Sequence, residues 1–571
     1  MDIKHCLERN NMKNRVFVIG LDGATFDLIK PWAREGKLPN LSRLISTGVH
    51  GDLMSTIHPL SPQAWSSFMT GKNPGKHGIY GFVKRMSGSY DLQYTNATNC
   101  DGATIWHLVS EAGGKVGVID VPFTYPPETV DGFLITGMDA MWDESTFIYP
   151  RDLKSEIEKR VGDYCWYPQK PTMKEMDRYV DGMFNVIDHR ARITEYLMEN
   201  RPWDFFITVF LAPDRVQHTL WRHMDKDHVL HNSQEAEKYG DVIFRVYRRI
   251  DEIIGELVAK LDDSVTVVIM SDHGSGPYRR VLNLSKWLNM NGWLTFKGGG
   301  NGANLGGVWT RVLKNSYFVL KKWLPNKLKK RLATLSPDLK HKWASRIVFS
   351  GIDWQNTRAY AVGNYGNISI NVRGREPLGI VAPGEEYESL REEIIERLAE
   401  LKDPDSGEPI LDKVYRREEL YSGPYMEEAP DLIVLWKDFA YYTRQSVADE
   451  EVSLFELPGK FGNRTIEHSA CHRLNGILIM NGKPILQGKT IEANITDVAP
   501  TILNTMGLPI PEDMDGTVLT AAFSSTHLES YPVQHVASEK VSSRKEAPKT
   551  VHSRDEEEAT RQRLRDLGYI D

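Results

Sequence analysis

Three short apolar runs constrain this chain more than anything else in it. Arg15 to Leu21, Trp203 to Leu211 and Ser264 to Met270 are rich in β-branched and aromatic residues, with few polar residues inside. Runs of this length without alternation fit strands buried on both faces of a parallel sheet. Each is followed at once by residues capable of chemistry: Asp22 after the first, Asp214 and His218 after the second, Asp272 and His273 after the third. Helical patterns lie between such runs, as at Pro39 to Thr47, Ala103 to Ala112 and about Tyr239 to Leu261. The alternation predicts an α/β fold, a doubly wound and mostly parallel sheet flanked by helices. In such sheets ligands bind at the carboxyl ends of the strands. The acids and histidines are therefore expected to meet at one edge.

A second signal is Ser61 followed by Pro62. Serine is a favoured N-cap and proline suits a first helical turn, so Gln63 to Thr70 reads as a helix ended by Gly71. This holds the Ser61 hydroxyl at the positive end of a helix, where free N–H groups suit a phosphate. Gln63 inside the helix, and Lys72 and His77 just after it, are candidate substrate contacts. Asp214 and His218 are four residues apart, so on a helix they share a face and can grip one metal. With Asp22, Asp272, His273, His472 and the Ser61 hydroxyl they make a mixed oxygen and nitrogen ligand set. Such a set suits two divalent ions, Zn²⁺ first and Mn²⁺ as the alternative.

At 571 residues the chain has room for one large α/β domain with insertions. The expected organisation is a tail over 1–14, a catalytic domain over 15–523, a polar linker over 524–553 and a charged helix over 554–571. A cap insert is expected at about 280–350, with the sheet resuming near Thr357 and again near Asn367 and Pro430. Within the insert, Arg311 to Arg346 holds eleven Lys or Arg against the single acid Asp338, with leucines at helical spacing. A basic amphipathic stretch of this kind is a lid over an anionic substrate, a surface resting on anionic lipid, or a solvated helical hairpin. The net charge of −7 gives no reason to expect nucleic acid. Cys6, Cys100, Cys165 and Cys471 lack paired spacing, and no segment resembles a secretory signal or a membrane span. A cytoplasmic protein is expected, at most peripheral to a membrane.

The motifs taken together resemble the alkaline phosphatase superfamily, in its type I phosphodiesterase/nucleotide pyrophosphatase branch. The segments that carry the resemblance are Leu21 to Gly23, Ser61 through Gly71 to Ile79, Pro213 to His218, Ser271 to Gly274 and Cys471 to Arg473. Asp497 to Leu503, Gly507 to Pro509 and Met514 to Gly516 extend it toward the C-terminus. The resemblance implies one metal on Asp214, His218 and His472, and another on Asp22, Asp272 and His273 with Ser61 as nucleophile. The implied activity is a two-metal phosphohydrolase, a phosphodiesterase or nucleotide pyrophosphatase, working through a phosphoseryl intermediate on a small or lipid-linked phosphate ester. Many members of the branch carry threonine where this chain has Ser61. The third-histidine motif also departs from the family pattern, which leaves His468 as a competitor of His472, with Glu467 and His468 as outer-layer candidates. The sulfatase branch is excluded because Trp65 stands where its nucleophile motif needs arginine. A phosphomutase of the phosphoglycerate mutase type and a non-catalytic metal-binding protein are the competing functions.

Overall fold

In the computed structural model, residues 14–86, 88–137, 147–297, 349, 351–444, 453–458 and 468–538 are described. In chain order, the elements that build the site begin with strands β1 (Arg15–Leu21) and β2 (Val49–Met54) and helix α1 (Ser61–Thr70). Strands β3 (Val116–Val121), β4 (Gly132–Thr136) and β5 (Ile148–Tyr149) follow, then helix α2 (Met176–Asn200). Next come strand β6 (Phe205–Phe210), helices α3 (Ala212–Met224) and α4 (Val242–Val258), and strands β7 (Val265–Met270) and β8 (Gly274–Pro277).

The main sheet is ten-stranded, and β7, β1, β6, β3 and β4 lie side by side in its centre. These pairings are parallel, with Gly20 opposite Val209 on β6 and Met270 on β7. Strands β1, β3, β6 and β7 are buried almost throughout, which is why their sequences are continuous apolar runs and not alternating ones. Successive side chains point to opposite faces. Phe17, Phe206, Phe133 and Trp203 form an aromatic layer on one face. Gly20 and Val209 form a shallow seat on the other, and Trp65 of α1 fills it.

The chain leaves this sheet after β7 and, beyond β8, enters an inserted unit with a core of its own. Strands β9 (Ala359–Val362), β10 (Asn367–Ile370), β11 (Leu411–Arg416) and β12 (Leu432–Trp436) form a four-stranded antiparallel sheet in the order β9-β10-β12-β11. The expectation that the main sheet resumes near residue 357 is thus corrected. β10 and β11 are half exposed, a pattern suited to a sheet covered on one face, here packed with helix Glu385–Ala399. Trp287, Tyr360, Ile370, Leu390, Leu432 and Trp436 lie in this second core. The unit therefore extends well past the cap expected at 280–350. Its basic stretch 311–346 lies outside the described residues, as do the 554–571 helix and nearly all of the 1–14 tail.

Strand β13 (Tyr441–Arg444) ties the unit to Arg280–Asn283, and strand β14 (Ala470–Arg473) brings the chain back by pairing antiparallel with β8. Strand β15 (Asn475–Asn481) then fits antiparallel between β2 and β7. The segment expected to be a linker from Ser524 is partly folded instead. Ser525–Ser530 is helical, and His535–Val536 pairs with Ile510–Pro511, burying Val536. Leu528 packs against the main core, and the Asn504 amide donates to the Tyr531 carbonyl, so several contacts anchor the segment.

Candidate active site

Three adjacent strands supply the carboxylates. Asp22 directly follows β1, Asp272 follows β7 by one residue, and Asp214 sits in the first turn of α3, just beyond β6. All three are fully buried. α3 carries His218 one turn after Asp214, while β14 lays His472 beside Ser275 of β8. Ser61 opens α1. It is not the N-cap expected from sequence: extended Leu60 holds that place without a side-chain cap. The Ser61 Oγ instead approaches His273 Nε2 at 3.3 Å, so the hydroxyl faces the cluster and not its own helix.

The ligand-type atoms fall into two neighbouring groups. In the first, His218 Nε2 is 3.1 Å and His472 Nε2 3.5 Å from Asp214 Oδ1, and the two nitrogens are 2.9 Å apart. In the second, His273 Nε2 is 3.2 Å from Asp272 Oδ2 and 3.9 Å from Asp22 Oδ1. The rings of His273 and His472 stack at 3.7 Å, joining the groups. The ring of His468, the competing histidine, lies edge-to-face with that of His218, their centroids 4.5 Å apart. Glu467 lies outside the described residues.

The backbone settles which imidazole nitrogens face inward. His218 Nδ1 is 2.7 Å from the Ala470 carbonyl, His472 Nδ1 2.6 Å from that of Pro59, and His273 Nδ1 3.0 Å from that of Gly274. A carbonyl only accepts, so each Nδ1–H donates, and a ring without a second proton turns an Nε2 lone pair inward. Two such lone pairs 2.9 Å apart, beside a buried carboxylate, repel unless positive charge lies between them. Asp22 Oδ1 and Asp272 Oδ2 are likewise buried and accept no hydrogen bond from any of the described residues. The donor set thus fits divalent cations: Asp22, Asp272 and His273 converge on one point and Asp214, His273 and His472 on another, with His218 Nε2 beside the second group and the Ser61 hydroxyl beside the first.

Burial, reinforced by Asp272 and Asp214, pushes the Asp22 carboxyl well above its ordinary range. Burial also raises Asp272. At Asp214 burial works the same way, but positive charge at the imidazole positions of His218, His472 and His273 outweighs it and holds the carboxyl low. His472 is pushed well below its usual value by burial and then by His273, which keeps it a neutral donor of its lone pair.

An outer layer holds these groups in place. The Trp65 indole N–H donates to Asp22 Oδ2 at 3.1 Å, and the Gly23 N–H donates to Asp272 Oδ1 at 3.2 Å. Gln217 Nε2 donates to the Gly23 carbonyl at 2.9 Å, and the Tyr247 hydroxyl donates to Gln217 Oε1 at 3.2 Å. Sequence reasoning missed this layer, since an indole or amide has no spacing rule that marks it. The three candidate substrate contacts each have a partner within the protein. Gln63 Nε2 donates to the Ile57 carbonyl at 2.9 Å, Lys72 pairs with Asp513, and His77 Nε2 bonds the Ser67 hydroxyl at 2.9 Å. Cys471 is buried and its thiol donates to the Phe439 carbonyl at 2.7 Å, a structural contact.

The profile of the family described as type I phosphodiesterase/nucleotide pyrophosphatase matches residues 16–459. No curated protein sequence matches the chain. Among solved structures, human ectonucleotide pyrophosphatase/phosphodiesterase 5 is similar at 14% identity, covering 90% of this chain and 99% of its own, with a TM-score of 0.45. Its murine counterpart in complex with AMP gives 15% identity, 91% and 99% coverage, and a TM-score of 0.44. Phosphonoacetate hydrolase from Sinorhizobium meliloti, in complex with phosphonoformate, gives 14% identity, 87% and 96% coverage, and a TM-score of 0.51. At such identity this last likeness speaks for the fold alone. The profile, which spans most of the chain, decides the family: this protein belongs to the type I phosphodiesterase/nucleotide pyrophosphatase family, among the metal-dependent phosphohydrolases of the alkaline phosphatase superfamily.

Proposed function

We propose that the protein is a phosphodiesterase or nucleotide pyrophosphatase in which Ser61 is the nucleophile. The observation that carries this is the Ser61 Oγ, buried at the first residue of α1 and 3.3 Å from His273 Nε2, in reach of the Asp22, Asp272 and His273 group. Two divalent cations on these residues, Zn²⁺ first and Mn²⁺ second, would supply the positive charge that lets the hydroxyl ionise near neutral pH and that balances the phosphoryl oxygens. Ser61 gives its proton to solvent and its Oγ forms a bond to phosphorus. The bond from phosphorus to the leaving oxygen breaks, and the electron pair stays on that oxygen. Water then displaces Ser61 from the phosphoseryl ester and restores the hydroxyl. The positive end of α1 favours the anionic forms along this path, and one well-aimed donor is worth roughly 3 kcal/mol in such sites.

Metal content measured together with hydrolysis of bis-p-nitrophenyl phosphate and p-nitrophenyl phosphate tests the reading, comparing wild type with Ser61→Ala and Asp214→Ala. Metal bound by wild type, with diester cleavage lost in both variants, supports it. In Ser61→Ala the metal is retained; in Asp214→Ala it is reduced. Metal without cleavage of either ester turns the reading toward a phosphomutase, and no metal at all sinks it. The substrate class we propose is a small or lipid-linked phosphate ester, handled in the cytoplasm. Among the described residues no helix is long and apolar enough to cross a membrane. For lipid-linked substrates, the basic stretch 311–346 is the proposed contact with an anionic membrane surface.

A further inference from the structure

The turn between β9 and β10 carries an aromatic side chain from the inserted unit onto the active site. The Tyr365 ring lies 6.0 Å from that of His472 and 5.7 Å from that of His58, and Tyr442 packs on it from β13 at 5.9 Å. The turn is held on several sides. The Thr443 N–H donates to the Asn364 carbonyl at 2.9 Å, and the Asn364 amide donates to the Tyr442 hydroxyl. Gly366 abuts β12 so closely that a Cβ there would meet Trp436 Nε1 at 2.8 Å and Val434 Cβ at 3.1 Å. Tyr365 is therefore a placed residue. Among the described residues none hydrogen-bonds its hydroxyl, which as a phenol is a donor at neutral pH.

Its position has a direction relative to the chemistry. Ser61 Oγ lies against His273, on the Asp22 and Asp272 side. An in-line displacement puts entering and leaving oxygens on opposite sides of phosphorus. The leaving oxygen then lies toward Asp214, His218 and His472, and Tyr365 packs on His472. We propose that Tyr365 is a leaving-group residue, its ring walling the departing alcohol and its O–H hydrogen-bonding the leaving oxygen. This rests on the phosphoester reading above. As the Ser61 Oγ–phosphorus bond forms, the phosphorus–oxygen bond breaks and its electron pair moves onto the leaving oxygen. Tyr365 keeps its proton throughout, and the departing oxygen takes one from water on release. The inserted unit thereby takes part in choosing the leaving group.

A series of methyl aryl phosphates, running from dinitrophenyl through p-nitrophenyl to phenyl, tests this in metal-loaded wild type and Tyr365→Phe. The variant keeps the ring and its packing and removes only the donor. A dinitrophenolate needs little help in leaving, so kcat/KM for that ester changes little. For the phenyl ester the loss reaches on the order of 10-fold to 100-fold, the scale of a lost transition-state donor. The plot of log kcat/KM against leaving-group pKa becomes steeper. Tyr365→Leu adds a raised KM across the aryl series, because the wall is gone. Equal losses along the series in Tyr365→Phe, or no loss, overturn the assignment while leaving the phosphoesterase intact. A wild type that cleaves none of these esters overturns the phosphoester reading and this one with it.

Discussion

Gly20 is the place to probe how the sheet controls the site. A Cβ at this residue would stand 2.7 Å from Trp65 Cη2 and 2.8 Å from Val209 Cγ2, both closer than real carbon contacts. The backbone itself tolerates alanine there, since Gly20 lies within strand β1 and is not among the positive-φ glycines. The cost is therefore steric. Trp65 is wholly buried and packs edge-on against Phe68 at 5.5 Å, so its indole has no free direction in which to swing. Gly20→Ala must lift α1 off β1, and overpacking of this kind costs about 1–3 kcal/mol. The same shift pulls the indole N–H from Asp22 Oδ2, now 3.1 Å away. Loss of such an outer-layer partner lowers metal affinity by about 10-fold to 100-fold. Denaturant unfolding in chelator reads the first effect, and titration of apoprotein with Zn²⁺ reads the second. Adding Val209→Ala relieves one of the two clashes and restores part of the stability, while the metal defect stays with Trp65. Wild-type metal affinity in a destabilised Gly20→Ala protein would refute the coupling through Trp65.

Other outcomes follow from the same structure. Asp120 pairs with Arg190, a guanidinium buried to all but 2% of its side chain; Asp120→Ala strands that charge and costs about 3–5 kcal/mol in urea unfolding. The Asp120→Ala/Arg190→Met double variant loses less, and a double variant worse than the single would contradict this. Burial pushes His58 from 6.5 down to about 3, so the unfolded chain takes up a proton between these values and the folded chain does not. Its contribution is complete above pH 6.5 and is lost as pH falls toward 3, at no more than about 1.4 kcal/mol per unit. Unfolding free energies from pH 7 to pH 4 decline less steeply in His58→Asn than in wild type; parallel declines exclude His58 as a contributor. Deleting residues 311–346 abolishes binding to anionic liposomes, and unchanged binding in a sedimentation assay removes the membrane contact.

The centre of the fold was legible because burial on both faces leaves a continuous apolar run, and β1, β6 and β7 are each followed within a few residues by an acid that buried parallel strands do not otherwise need. Asp214 and His218 were legible for a related reason, a spacing that only a helix turns into one face. The inserted unit was not. Its strands are half exposed, and nothing in Asn367 to Ile370 says which sheet it joins. Tyr365 sits in a Gly-Asn-Tyr-Gly turn, where composition speaks for a bend and is silent about what the bend approaches. Ser61 was placed one position early, because Ser-Pro suits a cap equally well; the approach of its hydroxyl to His273 is a tertiary fact. Lys72 and His77 have the right chemistry for phosphate, while their partners Asp513 and Ser67, distant or unremarkable in sequence, were not legible.

Strand β15 has a kinetic consequence. It occupies the slot between β2 and β7, yet synthesis delivers it only after the whole inserted unit. Until then β2 has no link to the centre of the sheet, and the open edge of β7, all of whose residues are buried in the finished protein, is a template for foreign strands. The last pairing joins segments far apart in the chain, and such closures are slow. A nascent or refolding chain therefore waits with its central sheet unzipped, exposed to aggregation that the finished protein no longer risks.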